Sequence, residues 1–398
     1  MRAQALLVAV SFVAAVGHGA MSLAAGIWVL ALTGSSALAA LVGFFVFAPT
    51  LLGPVIGALV DRAPPRPVLV GTNLALAALL ATAVTVRDAG DVWQLFSVML
   101  AYGLSYLVVD AAEARLVVAA VPRDAIGRLG GLRLGAQEST KLFAPLLGAG
   151  LLALAGGPAV ALLAAGALLA SVMLYLFVRP VLPPAPPRDR RLWTDLRAGL
   201  RHLLTQPPVW RPVCVATLAM LASGLGTAGV YAVVTQGLHR TPAFLGVLSS
   251  VQGGGAIVGG LVTGRLLSWL GSETRVAVLG AAVFAAGPLL QATGWLPAAL
   301  VGSACGGLGL PWTVVAAFTA VQRHTPYDLV GAVTGSATTL VFAPPALGIP
   351  LGALLVSTVD YRIPLLAAAA LAGTAAAAGW RASLAMRPWR HERTAAGT

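Results

Sequence analysis

The sequence predicts an all-α membrane protein with twelve transmembrane helices arranged as two pseudo-symmetric six-helix halves. Three observations carry that expectation. Apolar residues make up 58% of the 398 and charged residues only 10%, against about 45–50% and about 25% in soluble domains. Apolar runs long enough to cross a bilayer, which takes about 20 residues, follow one another along the chain, and mean hydropathy is +0.89. Two loop motifs also recur at a spacing near half the chain length.

Between Gly, Pro and Arg punctuation the apolar runs fall at 5–32, 37–60, 68–86, 93–118, 131–155, 159–178, 212–234, 244–270, 275–293, 298–320, 330–356 and 363–385. These are the first to twelfth helices. Many are rich in Ala and Gly, which lets helices approach closely where lipid supplies no hydrophobic drive between them. The alternating ten-residue segments of a β-barrel are absent. Arg2, an apolar run and Gly19 followed by Ala20 imitate a signal peptide, but hydrophobicity continues to Leu32, so the segment reads as a retained helix. With the N-terminus cytoplasmic, Arg87, Arg240 and Arg362 fall outside and every other arginine falls on or near the inner side. That is the bias of the positive-inside rule. Both termini are then cytoplasmic and the expected location is the cell inner (plasma) membrane.

The net charge of +12 does not indicate nucleic acid, because the basic residues sit between apolar blocks and not on one face. Two cysteines, Cys214 and Cys305, cannot build a disulfide framework or a zinc site. No phosphate-cradling G-x-x-x-x-G-K-[ST] loop, H-E-x-x-H or G-x-S-x-G site occurs. An enzyme, a cofactor and a metal are therefore not expected, and ATP is not expected to be the direct energy source.

Residues 179–211 are the one long polar break. Its proline-rich start, 179–188, predicts an extended spacer. Leu192, Trp193, Leu196, Leu200, Leu203 and Leu204 then recur at helical spacing with Arg197 and Arg201 between them, predicting an amphipathic helix on the cytoplasmic interface. The organisation expected is an N-terminal bundle over 1–178, a cytoplasmic linker over 179–211, and a C-terminal bundle with a short tail over 212–398. The halves repeat. Pro122-Arg123-Asp124 with Gly127 returns as Pro326-Tyr327-Asp328 with Gly331, and the segment Gly57 to Arg62 is echoed by Gly260 to Arg265. Parallel six-helix repeats belong to secondary transporters, which bind substrate between the halves near the midplane.

The loop Gly57 to Arg66, GALVDRAPPR, matches the pattern G-x-x-x-D-R-x-G-R-R/K with proline at the second glycine. On this motif the chain resembles the major facilitator superfamily over nearly its full length. Finer features resemble the drug:proton antiporter branch that includes macrolide and enterobactin-type exporters. They are Leu32 to Ser36, Val121 to Asp124, Asp195 to Leu200, and Gln322 to Pro326. Ala144-Pro145 with Gly148, Ala149 and Gly150 is similar to the antiporter signature G-P-x-x-G-G, with Pro345 and Gly348 as its echo. The resemblance implies that Asp61, Arg62 and Arg66 form a latch closing the inner side, one-sided because Gly264 replaces the second carboxylate. It also implies a monomer.

Charges inside a span cost about 2.5–3.5 kcal/mol each on insertion scales and need a partner or a purpose. Tyr102, Tyr106, Asp110 and Glu113 form a stripe on the fourth helix, and Glu138, Lys141 and Pro145 another on the fifth. Similar depths would let the Lys141 ammonium meet Asp110, Glu113 or Glu138. One reading is a proton-titrating carboxylate network; the other is an ion-pair cluster that holds the two helices in register. His18, midway along the first helix where the resembled branch is often acidic, is a further proton-carrier candidate. Substrate-cavity candidates are Trp28, Tyr102, Tyr106, Tyr231, Gln252 and Trp312, aromatics with a few polar groups that suit bulky amphipathic ligands.

The function expected is a proton-coupled secondary active exporter of hydrophobic or amphipathic small molecules, working by rocking of the halves. Its partners are the lipid bilayer, protons and a small-molecule substrate. A siderophore exporter or lysolipid flippase of the same fold, and a non-transporting membrane partner or sensor, are the alternatives.

Overall fold

The computed structural model describes residues 2–60, 62–122, 125–178, 192–326 and 329–384. Asp61, Arg123, Asp124, the 179–191 spacer, Tyr327 and Asp328 lie outside the described residues. Among those described, ten helices are long and apolar enough to cross a bilayer. The longest, 128–177, holds two of the expected spans: it reverses at Gly156, whose φ of +78° and ψ of 175° suit a residue without a Cβ. The expected second helix is broken into Ser36–Phe47, a 3-10 turn Ala48–Leu52 around Pro49, and Gly53–Val60. Counted this way the spans are twelve.

The first helix is Arg2–Thr33, the third Pro65–Thr82 and the fourth Val92–Ala120. The fifth starts at Ile126–Thr140, breaks over Lys141, Leu142 and Phe143, and resumes at Ala144 as far as the reversal; the sixth runs from there to Phe177. In the second half the seventh is Pro207–Ala232, the eighth Leu245–Leu270, the ninth Glu273–Gln291 and the tenth Leu296–His324. The eleventh is split like the fifth, into Val330–Phe342 and Pro345–Thr358, and the twelfth is Arg362–Leu384. Proline lacks the amide donor an unbroken helix needs, so Pro145 and Pro344-Pro345 place the two breaks at equivalent points of the repeat.

Small residues fix how these helices meet. A Cβ on Gly148 of the fifth helix would strike the Ala20 backbone of the first, and one on Gly352 of the eleventh the Leu225 backbone of the seventh. The crossings are repeat equivalents, so the antiporter-like stretch and its echo serve as packing surfaces. Each half has its own apolar cores, for example Leu7, Leu69, Leu116 and Tyr175 in the first and Val213, Val321, Val333 and Val341 in the second.

One core joins the halves: Ile27, Leu30, Ala39 and Ala149 pack with Tyr231, Leu245, Leu248, Ile349 and Ala353. It lies toward the end of the bundle that carries the Gly34–Ser35 turn. At the opposite end the second helix leaves Leu51, Val55 and Leu59 exposed. A Cβ on Gly57, Gly131, Gly264 or Gly331 would meet nothing within 4 Å. The halves are closed at one end and apart at the other.

The linker helix Leu192–Thr205 docks on the eleventh helix, with Gly199 against the Ala332 carbonyl. Leu203 is fully buried among Val209, Val213 and Val333, while Leu200 and Leu204 remain exposed. One face is thus taken up by the second half.

Valine at Gly148 or at Gly352 is expected to cost about 1–3 kcal/mol through overpacking, read as a lowered melting temperature of the purified protein. Alanine at Gly57 or Gly331 should leave it unlowered, since no neighbour is displaced.

Candidate functional site

The fourth helix continues to Ala120, so Asp110 lies about 15 Å and Glu113 about 10 Å from its end at 1.5 Å per residue. Glu113 is 6% exposed. The fifth helix begins at Ile126, earlier than hydropathy suggested, which carries Arg133 about 10 Å in from the same side. The two helices run antiparallel, and the equal depths bring these side chains together: Arg133 Nη2 lies 2.5 Å from Glu113 Oε2. Arg133 Nε also donates to Ser11 Oγ on the first helix at 2.9 Å, and Ser11 donates to the Leu7 carbonyl. The Tyr175 hydroxyl of the sixth helix faces the same carboxylate. Four helices thus meet on one ion pair. Asp110 stands within electrostatic range of Arg133 but is itself exposed.

Above it, His18 lies against two tyrosines of the fourth-helix stripe. Its ring centroid is 5.0 Å from that of Tyr102 and 5.5 Å from that of Tyr106. Tyr102 is 5% exposed and Tyr106 is 57% exposed, so the aromatic group has a closed side and an open one. His18, Tyr102, Tyr106 and Asp110 therefore form one continuous surface of the first half.

The fifth-helix stripe is separate. Lys141 Nζ is 2.6 Å from Glu138 Oε1, three residues earlier on the same chain segment. Of the three carboxylates within expected reach of Lys141, it is Glu138 that the ammonium meets. The pair sits at the helix break, where the Lys141 backbone lies under Gly253 of the eighth helix, on the seam between the halves.

The loop after the second helix is held by a residue that sequence reading counted only as an inner-side charge. Arg115 Nη1 donates to the Val60 carbonyl at 2.7 Å and to the Ala63 carbonyl at 2.6 Å. Val60 ends the second helix and Ala63 lies in the loop beyond it, so one guanidinium group ties the helix end to its loop. Arg66 donates to the Leu176 carbonyl near the end of the sixth helix, and Arg62 is exposed. Asp61 is outside the described residues.

The remaining cavity candidates divide. Trp28 is 5% exposed and lies against Gly157 within the first-half core. Trp312 donates from Nε1 to the Gly259 carbonyl at 2.9 Å and so ties the tenth helix to the eighth. Tyr231 and Gln252 line a cavity of about 200 Å³ in the second half. Its charge content contrasts with the first half: the lining has serine, threonine and glutamine but no ionisable acid or base.

Glutamine at Glu113 would take the ion-pair partner from the half-buried Arg133 guanidinium, a loss of at most about 3–5 kcal/mol because Asp110 remains within electrostatic range. The expected result is a markedly lowered melting temperature. Glu113→Gln with Arg133→Met should recover most of it, because both charges then leave the interior.

A family model described as Major Facilitator Superfamily matches residues 7–343. Among curated relatives, an uncharacterized MFS-type transporter, YfiS, of Bacillus subtilis is 25% identical over 74% of this chain and 73% of its own. Macrolide efflux protein A of Enterococcus faecalis is 24% identical over 68% of this chain and 85% of its own. Among solved structures, a mutant of the nucleoside transporter NupG superposes with a TM-score of 0.78 at 14% identity, covering 96% of this chain and 99% of that one. The POT family transporter PepTSo gives 0.77 at 10% identity, covering 96% and 98%. Model, relatives and fold agree with the twelve spans and the repeat, and the chain belongs to the Major Facilitator Superfamily.

Proposed function

We propose that this transporter is a proton-coupled exporter of hydrophobic or amphipathic small molecules in the plasma membrane, with both termini cytoplasmic. The observation that carries the reading is the placement of Asp110. It is an exposed carboxylate about three helical turns inside the bundle, with the exposed Tyr106 on one side and the Glu113–Arg133 pair on the other, and in this reading it faces the space between the halves. A carboxylate reachable from that space can exchange a proton or a cationic ligand with it. Arg133, already committed to Glu113, sets the local field. His18 joins this surface through the two tyrosines and is a second proton carrier.

Likeness to macrolide efflux proteins favours export and bulky amphipathic substrates. The arginine bias makes the open end of the bundle the cytoplasmic one, so the structure corresponds to a state loaded from inside. Closure of that end would bring the glycine-bearing arms of the second, fifth, eighth and eleventh helices together, with Asp61, Arg62 and Arg66 as the latch. Glu138 and Lys141, at the seam between fifth and eighth helices, move with that closure. The transporter works as a monomer in this scheme.

One proton charge moved through about 100 mV supplies about 2.3 kcal/mol, enough for about a fiftyfold substrate gradient. Purified protein in liposomes should therefore drive ethidium efflux under an imposed pH gradient, and an ionophore that collapses the gradient should abolish it. Asp110→Asn should remove the gradient-driven component while retaining downhill exchange of the dye. Full coupled efflux in that variant would eliminate Asp110 as the carrier.

A further inference from the structure

The cavity of the second half has a composition unlike the first-half surface. Besides the Tyr231 hydroxyl, six of its side chains carry uncharged hydrogen-bonding groups: Ser223, Thr227, Ser249, Gln252, Gln291 and Ser303. Two are engaged with each other, Gln291 Nε2 donating to Ser303 Oγ at 3.1 Å, and Thr227 donates to the Ser223 carbonyl at 3.0 Å. Among the described residues, no protein group takes up the Ser223 and Ser249 hydroxyls or the Gln252 amide. The two serines are half-buried and Gln252 is exposed, so these groups are open to water or to a ligand. Glycine borders the space, Gly287 and Gly302 letting the ninth and tenth helices touch backbone to backbone and Gly306 leaving room in front of it. Gly226, Gly287, Gly302 and Gly306 stand on its walls, and a Cβ on Gly306 would find only the Gln252 amide nitrogen, at 3.9 Å. Phe284 and Tyr231 add flat apolar faces.

Leu23 of the first helix also lines the cavity, so it communicates with the space between the halves, although most of its lining comes from the seventh, eighth, ninth and tenth helices. Its volume of about 200 Å³ is below the ~300–1,000 Å³ of sites that enclose a whole ligand. It suits one ring of a larger molecule. Hydroxyl and amide groups can each donate and accept, matching a hydroxyl-bearing ring, and an aromatic face suits the C–H face of the same ring. A charged ligand group would find no counter-charge there and would lose its hydration for nothing in return.

We infer that this cavity is a binding subsite for an uncharged, polyhydroxylated ring, such as a glycosyl group, carried by an amphipathic substrate. The inference rests on the reading of the chain as an exporter of amphipathic molecules, and it adds the class of polar group that such a substrate presents to the second half. Gln252 and Ser249 at the mouth orient the ring, Ser223 and Thr227 meet it from the seventh helix, and Gly306 leaves room for it.

The test is protection of a thiol placed in the cavity. In a background of Cys214→Ala and Cys305→Ala, Ser249→Cys is labelled with a maleimide in nanodiscs, with no pH gradient. Phenyl β-D-glucopyranoside should slow labelling about tenfold at saturation, corresponding to about 1.4 kcal/mol of shielding, and 2-phenylethanol at equal concentration should not. Gly306→Val in the same background should abolish the protection by filling the cavity. If valine compromises folding, Gly306→Ala, which adds one methyl group, should weaken it. Equal protection by both compounds, no protection by the glucoside, or protection that survives Gly306→Val would each overturn the inference. Labelling is independent of dye efflux, so failure of one leaves the other measurement to be judged alone.

Discussion

Everything in this bundle depends on helices touching backbone to backbone inside a solvent that gives them no reason to associate. Lipid chains are as apolar as leucine, so packing must come from close van der Waals fit. Gly148 on Ala20 and Gly352 on Leu225 supply it at equivalent crossings of the two halves. The breaks at Lys141–Phe143 and at Ala343–Pro344 lie next to those crossings. Each broken helix therefore has an arm held rigidly to its own bundle and another projecting toward the open end. The shape of the molecule, joined at one end and parted at the other, follows from where those crossings fall.

The fold was legible because a bilayer imposes a length on every span and a repeat imposes a spacing on every motif. The offset near half the chain paired the second and eighth helices correctly, and the fifth and eleventh turned out to share their breaks as well. The stripe Tyr102, Tyr106, Asp110 and Glu113 was legible too, since helical spacing alone puts these residues on one side. What spacing cannot supply is the rotation of one helix against another. Lys141 was the expected partner of the fourth-helix carboxylates, and helix rotation gives Glu113 to Arg133 instead. A signal was present in the sequence: the helix extends back to Ile126, which makes Arg133 an interior residue instead of an end one. Arg115 was hidden for a different reason, because its partners are carbonyl groups that no sequence pattern displays.

The ion pair at Glu113 and the exposed carboxylate at Asp110 illustrate how three residues of separation on a helix give opposite roles. Glu113 is enclosed by side chains from the first, fifth and sixth helices and holds Arg133 in place. Asp110 is exposed, and no partner from the second half approaches it among the described hydrogen bonds and ion pairs. The pair gives the bundle its register, and the neighbouring acid is left available. Dividing the work this way lets one charge be held in an ion pair while a second one stays exposed.

The second-half cavity has a consequence for how such a protein changes over generations. A substitution among its serines, glutamines and glycines alters shape and hydrogen bonding but moves no charge within the bilayer. Ligand preference can therefore drift in that half without disturbing the electrostatic balance kept in the other. A lineage of these transporters can vary this cavity by ordinary point mutation while inheriting the ion pair of the other half intact.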